Sequence, residues 1–187
     1  MELKNFIKIY DSVLNENTFN NLLKVCKTLK YDDATVGDNR LDKQQRNVGI
    51  CTLCDISDSM TEVHWGNLMQ NVFYEFLVKY LKEQKIKTLY GVDKMENAAV
   101  LKYNESNFYI WHYDDGPQFP RTFSFIYFLN NDFEGGELFF RNPNGTEEFS
   151  IEKNQNRLVI WPSCFLFPHS VKKVTKGTRY SIVSWIQ

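Results

Sequence analysis

Tyr103-Asn104-Glu105-Ser106-Asn107-Phe108-Tyr109-Ile110-Trp111-His112-Tyr113-Asp114 ends one strand pattern and carries another, and the reading of the chain turns on it. Aromatic and β-branched residues mark strands near 96–103 and 107–114. His112 and Asp114 stand at i and i+2, a spacing that sends both side chains to one face of a strand. The chain has three histidines, and another of them, His169, follows far downstream. Two imidazoles and one carboxylate are the donors of a facial 2-His-1-carboxylate centre, which holds Fe(II) and leaves its other positions open. His-x-Asp alone arises often by chance; the sequence after His169 gives it weight.

Ten residues beyond His169 stands Arg179, in the strand-like run Gly177-Thr178-Arg179-Tyr180-Ser181-Ile182-Val183-Ser184-Trp185. Arg179, Ser181, Val183 and Trp185 share one face of that strand, expected to point inwards. A buried guanidinium needs an anion, and it forks onto a carboxylate through two parallel hydrogen bonds. No acid lies in the run to supply one. The partner is either a bound dicarboxylate such as 2-oxoglutarate or an Asp or Glu elsewhere in the chain, and the sequence leaves both open.

Further strand patterns run near 122–129, 136–141, 147–151, 157–161, 168–174 and 178–186. Turn residues separate them, as in Asn130-Asn131-Asp132, Gly135-Gly136 and Asn142-Pro143-Asn144-Gly145. Eight short strands spaced in this way predict a two-sheet jelly roll. The first half reads differently. A short strand near Phe6–Tyr10 precedes a helix from about Asn15 to Leu29, with Phe19, Leu22, Leu23, Val25 and Cys26 as its apolar positions. A polar loop spans 32–46 and includes Gly37, Asp38, Asn39, Arg40 and Arg46, and a strand follows at 47–53. Ser57 or Asp58 is placed to cap a long helix over 59–83, whose apolar set includes Met60, Val63, Trp65, Leu68, Val72, Phe73, Phe76, Leu77 and Leu81. The expected organisation is an α+β, mainly β, single domain over 1–187. Residues 1–90 form a helical support with a substrate loop near 32–46, and 95–187 form the jelly-roll core.

Composition narrows the function classes. The 187 residues suffice for a substantial core, the net charge is −1 and the aromatic fraction is 16%. Near-balanced charge argues against a nucleic-acid partner, and no apolar stretch of 18 residues predicts a membrane helix. The amino-terminal residues lack the apolar core of a signal peptide, so the expectation is a soluble cytoplasmic protein. Sixteen lysines against six arginines fit the codon usage of an AT-rich phage or bacterial genome. Cys51-x-x-Cys54 lacks a second cysteine pair or nearby histidines, so both read as packing or surface thiols, and His64 reads as a surface residue of the long helix.

From residue 98 onward the chain resembles the Fe(II)/2-oxoglutarate dioxygenases, in particular their prolyl 4-hydroxylase branch. The resemblance rests on 103–114, Arg121-Thr122-Phe123-Ser124, Phe128-Leu129-Asn130, Gly135-Gly136-Glu137-Leu138-Phe139-Phe140, Trp161-Pro162-Ser163, and His169-Ser170-Val171 through Gly177-Thr178-Arg179 to Trp185. It implies a double-stranded β-helix and assigns roles. His112, Asp114 and His169 would bind iron. Arg179 would hold the far carboxylate of 2-oxoglutarate with the help of Tyr103, and Trp185 would lie near the co-substrate. Tyr109 and Arg121 would contact a peptide substrate. The implied reaction uses dioxygen, turns 2-oxoglutarate into succinate and carbon dioxide, hydroxylates a proline, and brings in ascorbate as a further ligand. Asp114 favours hydroxylation, because halogenating relatives carry a small residue there. Phe128 stands where the family has a tyrosine, and Ser106-Asn107 where it has Gly-Gln, so a co-substrate hydroxyl is absent and the substrate side differs.

Asp115 follows the ligand pair at a position that points away from it in a strand, and it reads as a neighbouring or solvated carboxylate. Tyr109, Trp111, Tyr113 and Arg121 suit a groove for a proline-rich chain, whereas Trp111 and Tyr113 serve equally well as strand-stiffening aromatics. Other readings are a dioxygenase acting on a free amino acid, small molecule or another side chain, and a cupin-like binding module without catalysis. Nucleic-acid demethylases carry a second arginine six residues after the co-substrate arginine; this chain has Trp185 there.

Overall fold

The computed structural model describes residues 2–36, 40–55, 59–87 and 94–187. A 3-10 turn, Leu3–Phe6, leads into β1 (Lys8–Asp11) and α1 (Glu16–Thr28). Then come β2 (Asp32–Asp33), β3 (Arg46–Asn47), β4 (Gly49–Thr52) and α2 (Met60–Glu83). The remaining strands are β5 (Ala99–Tyr103), β6 (Phe108–His112), β7 (Phe123–Phe128), β8 (Glu134–Gly135), β9 (Leu138–Arg141), β10 (Glu148–Ile151), β11 (Arg157–Pro162), β12 (His169–Val171), β13 (Val174–Lys176) and β14 (Arg179–Ile186).

Two antiparallel sheets face one another. The major sheet has the order β1-β11-β7-β14-β5-β4-β2 and the minor sheet β10-β9-β12-β6-β3; β13 and β8 pair separately. This is a double-stranded β-helix, the mainly β fold that the strand spacing predicts. Alternation along the strands divides the core in two. Leu101, Tyr103, Ile126, Phe128, Val159 and Val183 join Leu138, Phe140 and Val171 of the minor sheet between the layers. Val100, Phe123, Phe125, Tyr127, Ile160 and Ile182 meet the helices on the other side of the major sheet. Each fully buried side chain of this size contributes about 1.5–3 kcal/mol.

The helices form where their ends are capped and their apolar positions repeat. Asn15 accepts from the Thr18 amide at the start of α1. Met69, Phe73, Leu77 and Tyr80 recur every three or four residues along α2 and are buried. Phe73 stacks on Phe125 at 5.3 Å, and Tyr80 meets Phe123 edge-on at 5.3 Å. Ser59 caps α2 through a reciprocal capping box with Glu62. The expected caps, Ser57 and Asp58, lie outside the described residues. Met60, expected on the apolar face, is 83% exposed, because the first turn of α2 precedes the sheet contact.

The segment expected as a polar loop over 32–46 does more than connect. Its two ends, β2 and β3, are the edge strands of the major and minor sheets, and the chain passes from one sheet to the other at buried Val48. Gly37, Asp38 and Asn39 lie outside the described residues. The strand expected over 168–174 is two, β12 and β13, since the Lys172 amide turns to Glu137 O and Val174 then pairs with Gly135. Gly135 has φ 69°, and a Cβ there would sit 2.3 Å from Lys173 O, so this crossing requires glycine. The strand expected over 107–114 ends at His112.

Candidate metal centre and pocket

The pocket opens between the sheets. It has a volume of about 480 Å³, and its lining includes His112, Asp114, His169, Tyr103, Tyr109, Arg121 and Trp185. His112 is the last residue of β6 and pairs directly with His169, the first of β12. One donor atom from each of His112, Asp114 and His169 lies within 4.8 Å of the others. His112 Nε2 is 3.6 Å from Asp114 Oδ1, and His169 Nε2 is 3.4 Å from Asp114 Oδ2.

Asp114 does not reach this point by strand alternation. Its amide and that of Asp115 both donate to Ser163 O, at 3.2 and 3.1 Å, which turns the chain back towards the pocket. Ser124 Oγ donates to Asp114 Oδ2 at 2.6 Å and lies 2.8 Å from Ser163 Oγ. Asp115 uses Oδ1 to accept from the Arg121 amide and is not one of the three clustered donors.

Both imidazoles are oriented in the same manner. His112 Nδ1 is 2.8 Å from Ile110 O, and His169 Nδ1 is 3.1 Å from Phe167 O. An Nδ1–H donating to a carbonyl leaves the Nε2 lone pair free for a cation. Burial, and then the neighbouring His169 charge, push the His112 pKa down, so the ring is neutral. Burial alone would raise the Asp114 pKa; the electrostatic influence of the flanking His169 and His112 rings, and then hydrogen bonds from Ser124 and Trp185, outweigh it and keep the carboxylate ionised. Two oriented imidazoles and an ionised carboxylate on one side of a cavity fit Fe(II).

Arg179 is fully buried and is not itself a lining residue, but it pairs across the sheet with Tyr103, which is. Its Nη1 donates to Ser181 Oγ at 3.2 Å, while among the described residues Nε and Nη2 have no hydrogen-bond partner. The guanidinium carbon is 4.8 Å from the centre of the Tyr103 ring and 5.2 Å from that of Phe128. Among the described residues no carboxylate forms an ion pair with it, so the structural ion pair left open by the sequence is not made. Tyr103, buried beside it, lines the pocket, and burial raises its phenol pKa against the pull of the Arg179 charge.

The substrate side is arranged less simply than expected. Tyr109 stacks on His112 with ring centres 3.5 Å apart, and the Arg46 guanidinium covers its other side at 4.9 Å. Arg46 Nη1 donates to Thr35 O, and among the described residues its buried Nε has no partner. Arg121 grips Glu96 through Nε and Nη2 at 2.7 and 2.6 Å and lies 3.7 Å over the Trp185 ring. Sequence reasoning missed Glu96, which lies 25 residues from Arg121 in no recognisable motif. It treated Arg46 only as part of a loop. His64 is exposed on α2, and among the described residues Cys51 and Cys54 belong to no metal-holding cluster.

The profile of the 2OG-Fe(II) oxygenase superfamily matches residues 98–187, the stretch that contains His112, Asp114, His169, Tyr103 and Arg179. A PKHD-type hydroxylase of Idiomarina loihiensis is 27% identical over 135 residues, covering 70% of this chain and 55% of its own length. The chain thus spans about half the length of that relative. Among solved structures, a Trichoplax adhaerens prolyl hydroxylase in complex with a hypoxia inducible factor peptide fragment superposes with a TM-score of 0.78 at 17% identity. That match covers 97% of this chain and 83% of the other. A Pseudomonas putida prolyl-4-hydroxylase gives a TM-score of 0.74 at 17% identity, covering 97% and 92%. These two likenesses establish the shared fold.

Proposed function

We infer that this 2OG-Fe(II) oxygenase-like chain, prolyl 4-hydroxylase-like in fold, is a 2-oxoglutarate-dependent dioxygenase that hydroxylates a proline in a peptide or protein. One observation carries the reading. A buried arginine with two N–H groups unpartnered among the described residues lies against Tyr103, a lining residue of the pocket that brings two imidazoles and a carboxylate together.

In this reading His112, Asp114 and His169 hold Fe(II), and Arg179 receives the far carboxylate of 2-oxoglutarate. With both bound, the centre supplies oxidative decarboxylation of the co-substrate by dioxygen to succinate and carbon dioxide, coupled to hydroxylation of a nearby C–H bond. The protein's share is placement and shielding. Ile110 O and Phe167 O fix the imidazole tautomers, and Ser124 fixes the carboxylate. Tyr103 lies beside the Arg179 guanidinium, and the two would hold the carboxylate together. Low exposure strengthens each of these charge interactions. Residues 1–90 serve as support for the 95–187 core.

A second groove of about 490 Å³ adjoins the pocket and shares Arg46, Tyr109, Asp114, Phe119 and Arg121 with it. Tyr109 offers an aromatic edge near the metal donors, and polyproline chains favour such surfaces. The alternative reading, a free amino acid or other small substrate, has its own support. Arg121 is already forked onto Glu96, so it is not free to donate bidentately to peptide carbonyls. Both readings are tested by succinate release with Fe(II) and 2-oxoglutarate, with and without ascorbate, across proline-rich peptides and free amino acids. Mass spectrometry then locates the added oxygen. A gain on peptidyl proline supports the first reading; a gain only on a free amino acid or another side chain sinks it.

A further inference from the structure

β12 is the middle strand of the minor sheet. His169 and Val171 face the pocket, so Ser170 between them faces outwards. On one side Ser170 pairs with Phe139 of β9. On the other side the register slips: His169 opposes His112 while Val171 opposes Tyr109, so Ile110 and Trp111 together stand opposite Ser170. Such a bulge bends the strand and re-aims its side chains. A small residue between bulky neighbours leaves a groove of about 340 Å³, lined by Phe108, Ile110, Trp111, Ser170, Lys172 and Lys173.

Two observations set this groove apart. Ser170 is 3% exposed, yet among the described residues its hydroxyl has no hydrogen-bond partner, an uncommon state for a buried polar group. Around it stands a set of cations laid on aromatic rings. Arg141 lies 4.4 Å over Trp111, Lys172 lies 5.2 Å over Trp111 and 4.9 Å over Phe139, and Lys173 lies 6.0 Å over Phe108. Among the described residues none of the three cations forms an ion pair, although Glu148 stands directly opposite Arg141 in the β9/β10 register.

We propose that the outer face of the minor sheet is a docking surface for an extended acidic polypeptide segment. Its carboxylates pair with Arg141, Lys172 and Lys173, a backbone carbonyl accepts from Ser170 Oγ–H, and the chain lies across Trp111. Three cations around a narrow groove suit a few carboxylates, whereas a nucleic-acid strand requires a longer basic track. The groove lies back to back with the pocket, since Trp111 precedes His112 and Ser170 follows His169. The acidic segment therefore belongs to the polypeptide that is hydroxylated; this last clause rests on the peptide reading of the pocket, and the docking itself does not.

The test is fluorescence anisotropy of a labelled dodecapeptide of alternating glutamate and alanine, titrated with the full chain. A glutamine-for-glutamate peptide and a single-stranded oligonucleotide serve as comparisons. The expected result is saturable binding that weakens about tenfold or more in the glutamine peptide and in the Lys172→Glu/Lys173→Glu double variant, and that falls with added salt. Ser170→Ala weakens it a few-fold, with an unchanged circular dichroism spectrum in both variants. Absence of binding to the glutamate peptide, equal binding by the charge-reversed variant, or tighter binding of the oligonucleotide overturns the proposal. Peptide docking without any 2-oxoglutarate turnover leaves this inference standing and removes the dioxygenase reading; turnover without docking does the reverse.

Discussion

The Arg179 guanidinium carbon lies 4.8 Å from the centre of the Tyr103 ring, with Nε and Nη2 left without partners among the described residues. A buried cation in this state is costly unless a ligand completes it. Arg179→Ala is therefore expected to raise the 2-oxoglutarate concentration needed for half-maximal turnover by an amount equivalent to roughly 2–5 kcal/mol, while iron affinity changes little. Tyr103→Phe moves in the same direction by about 1 kcal/mol. Titration of turnover against 2-oxoglutarate checks both. An unchanged requirement in Arg179→Ala would transfer the role to another cation such as Lys176, which is exposed and paired with Glu134.

His112→Ala and His169→Ala each delete one of three protein donors. Both are expected to lose Fe(II) binding and turnover and to keep the native circular dichroism spectrum, since the sheets are held by the apolar clusters on either side. Calorimetric titration with Fe(II) under anaerobic conditions reads the first; retained tight binding in either variant would contradict the donor assignment.

Acid should loosen the metal-free protein. The His112 pKa is pushed from the ordinary 6.5 to about 3, first by burial and then by the neighbouring His169 charge. Between those values the unfolded chain takes up a proton that the folded one refuses, so stability is lost as pH falls from 6.5 towards 3. The lowered Asp114 pKa adds a loss of the same sign below its usual 3.8. Thermal melts of the metal-free protein at pH 7 and pH 5 test this, and an identical Tm at both would contradict it.

The helical layer makes its own prediction. Phe73→Ala removes a fully buried ring stacked on Phe125 and should cost about 3–5 kcal/mol. Ser59→Ala removes only an exposed cap of α2 and should cost about 1 kcal/mol. Urea unfolding measures both; a smaller loss for Phe73→Ala than for Ser59→Ala would mean that α2 does not anchor on the major sheet.

Much of this architecture was legible because period-two patterns and turn residues are local. The run Arg179–Trp185 reads inward at alternate residues, and Val183 and Trp185 do line the pocket. The pairing of His112 with Asp114 is legible in their spacing, but strand alternation is not what brings Asp114 to His169. β6 stops at His112, and a bridge to Ser163, 49 positions away, returns Asp114 to the pocket. Contacts of that range leave no local trace. The same holds for Glu96 on Arg121, for Arg46 on Tyr109, and for the passage at Val48 that makes one supposed loop the edge of both sheets.

Substrate choice is tested by Tyr109→Ala and Arg121→Ala. Tyr109 stacks on His112, and Arg121 stands over Trp185 in the lining of the same pocket. Both variants should lose peptide hydroxylation more than peptide-independent 2-oxoglutarate decay, compared by mass spectrometry and succinate release. Equal losses in the two assays would place these residues in support of the metal centre rather than in substrate recognition.

The proposed centre is Fe(II) held by His112, Asp114 and His169, consuming 2-oxoglutarate held by Arg179. Its most direct measurement is succinate formation from 2-oxoglutarate by the purified chain with Fe(II) and dioxygen, beside the Asp114→Ala variant. Succinate that requires Fe(II), appears with an equal amount of carbon dioxide and vanishes in Asp114→Ala is the predicted result. No succinate from the wild-type chain with any substrate of the panel, or undiminished succinate from Asp114→Ala, would contradict the account.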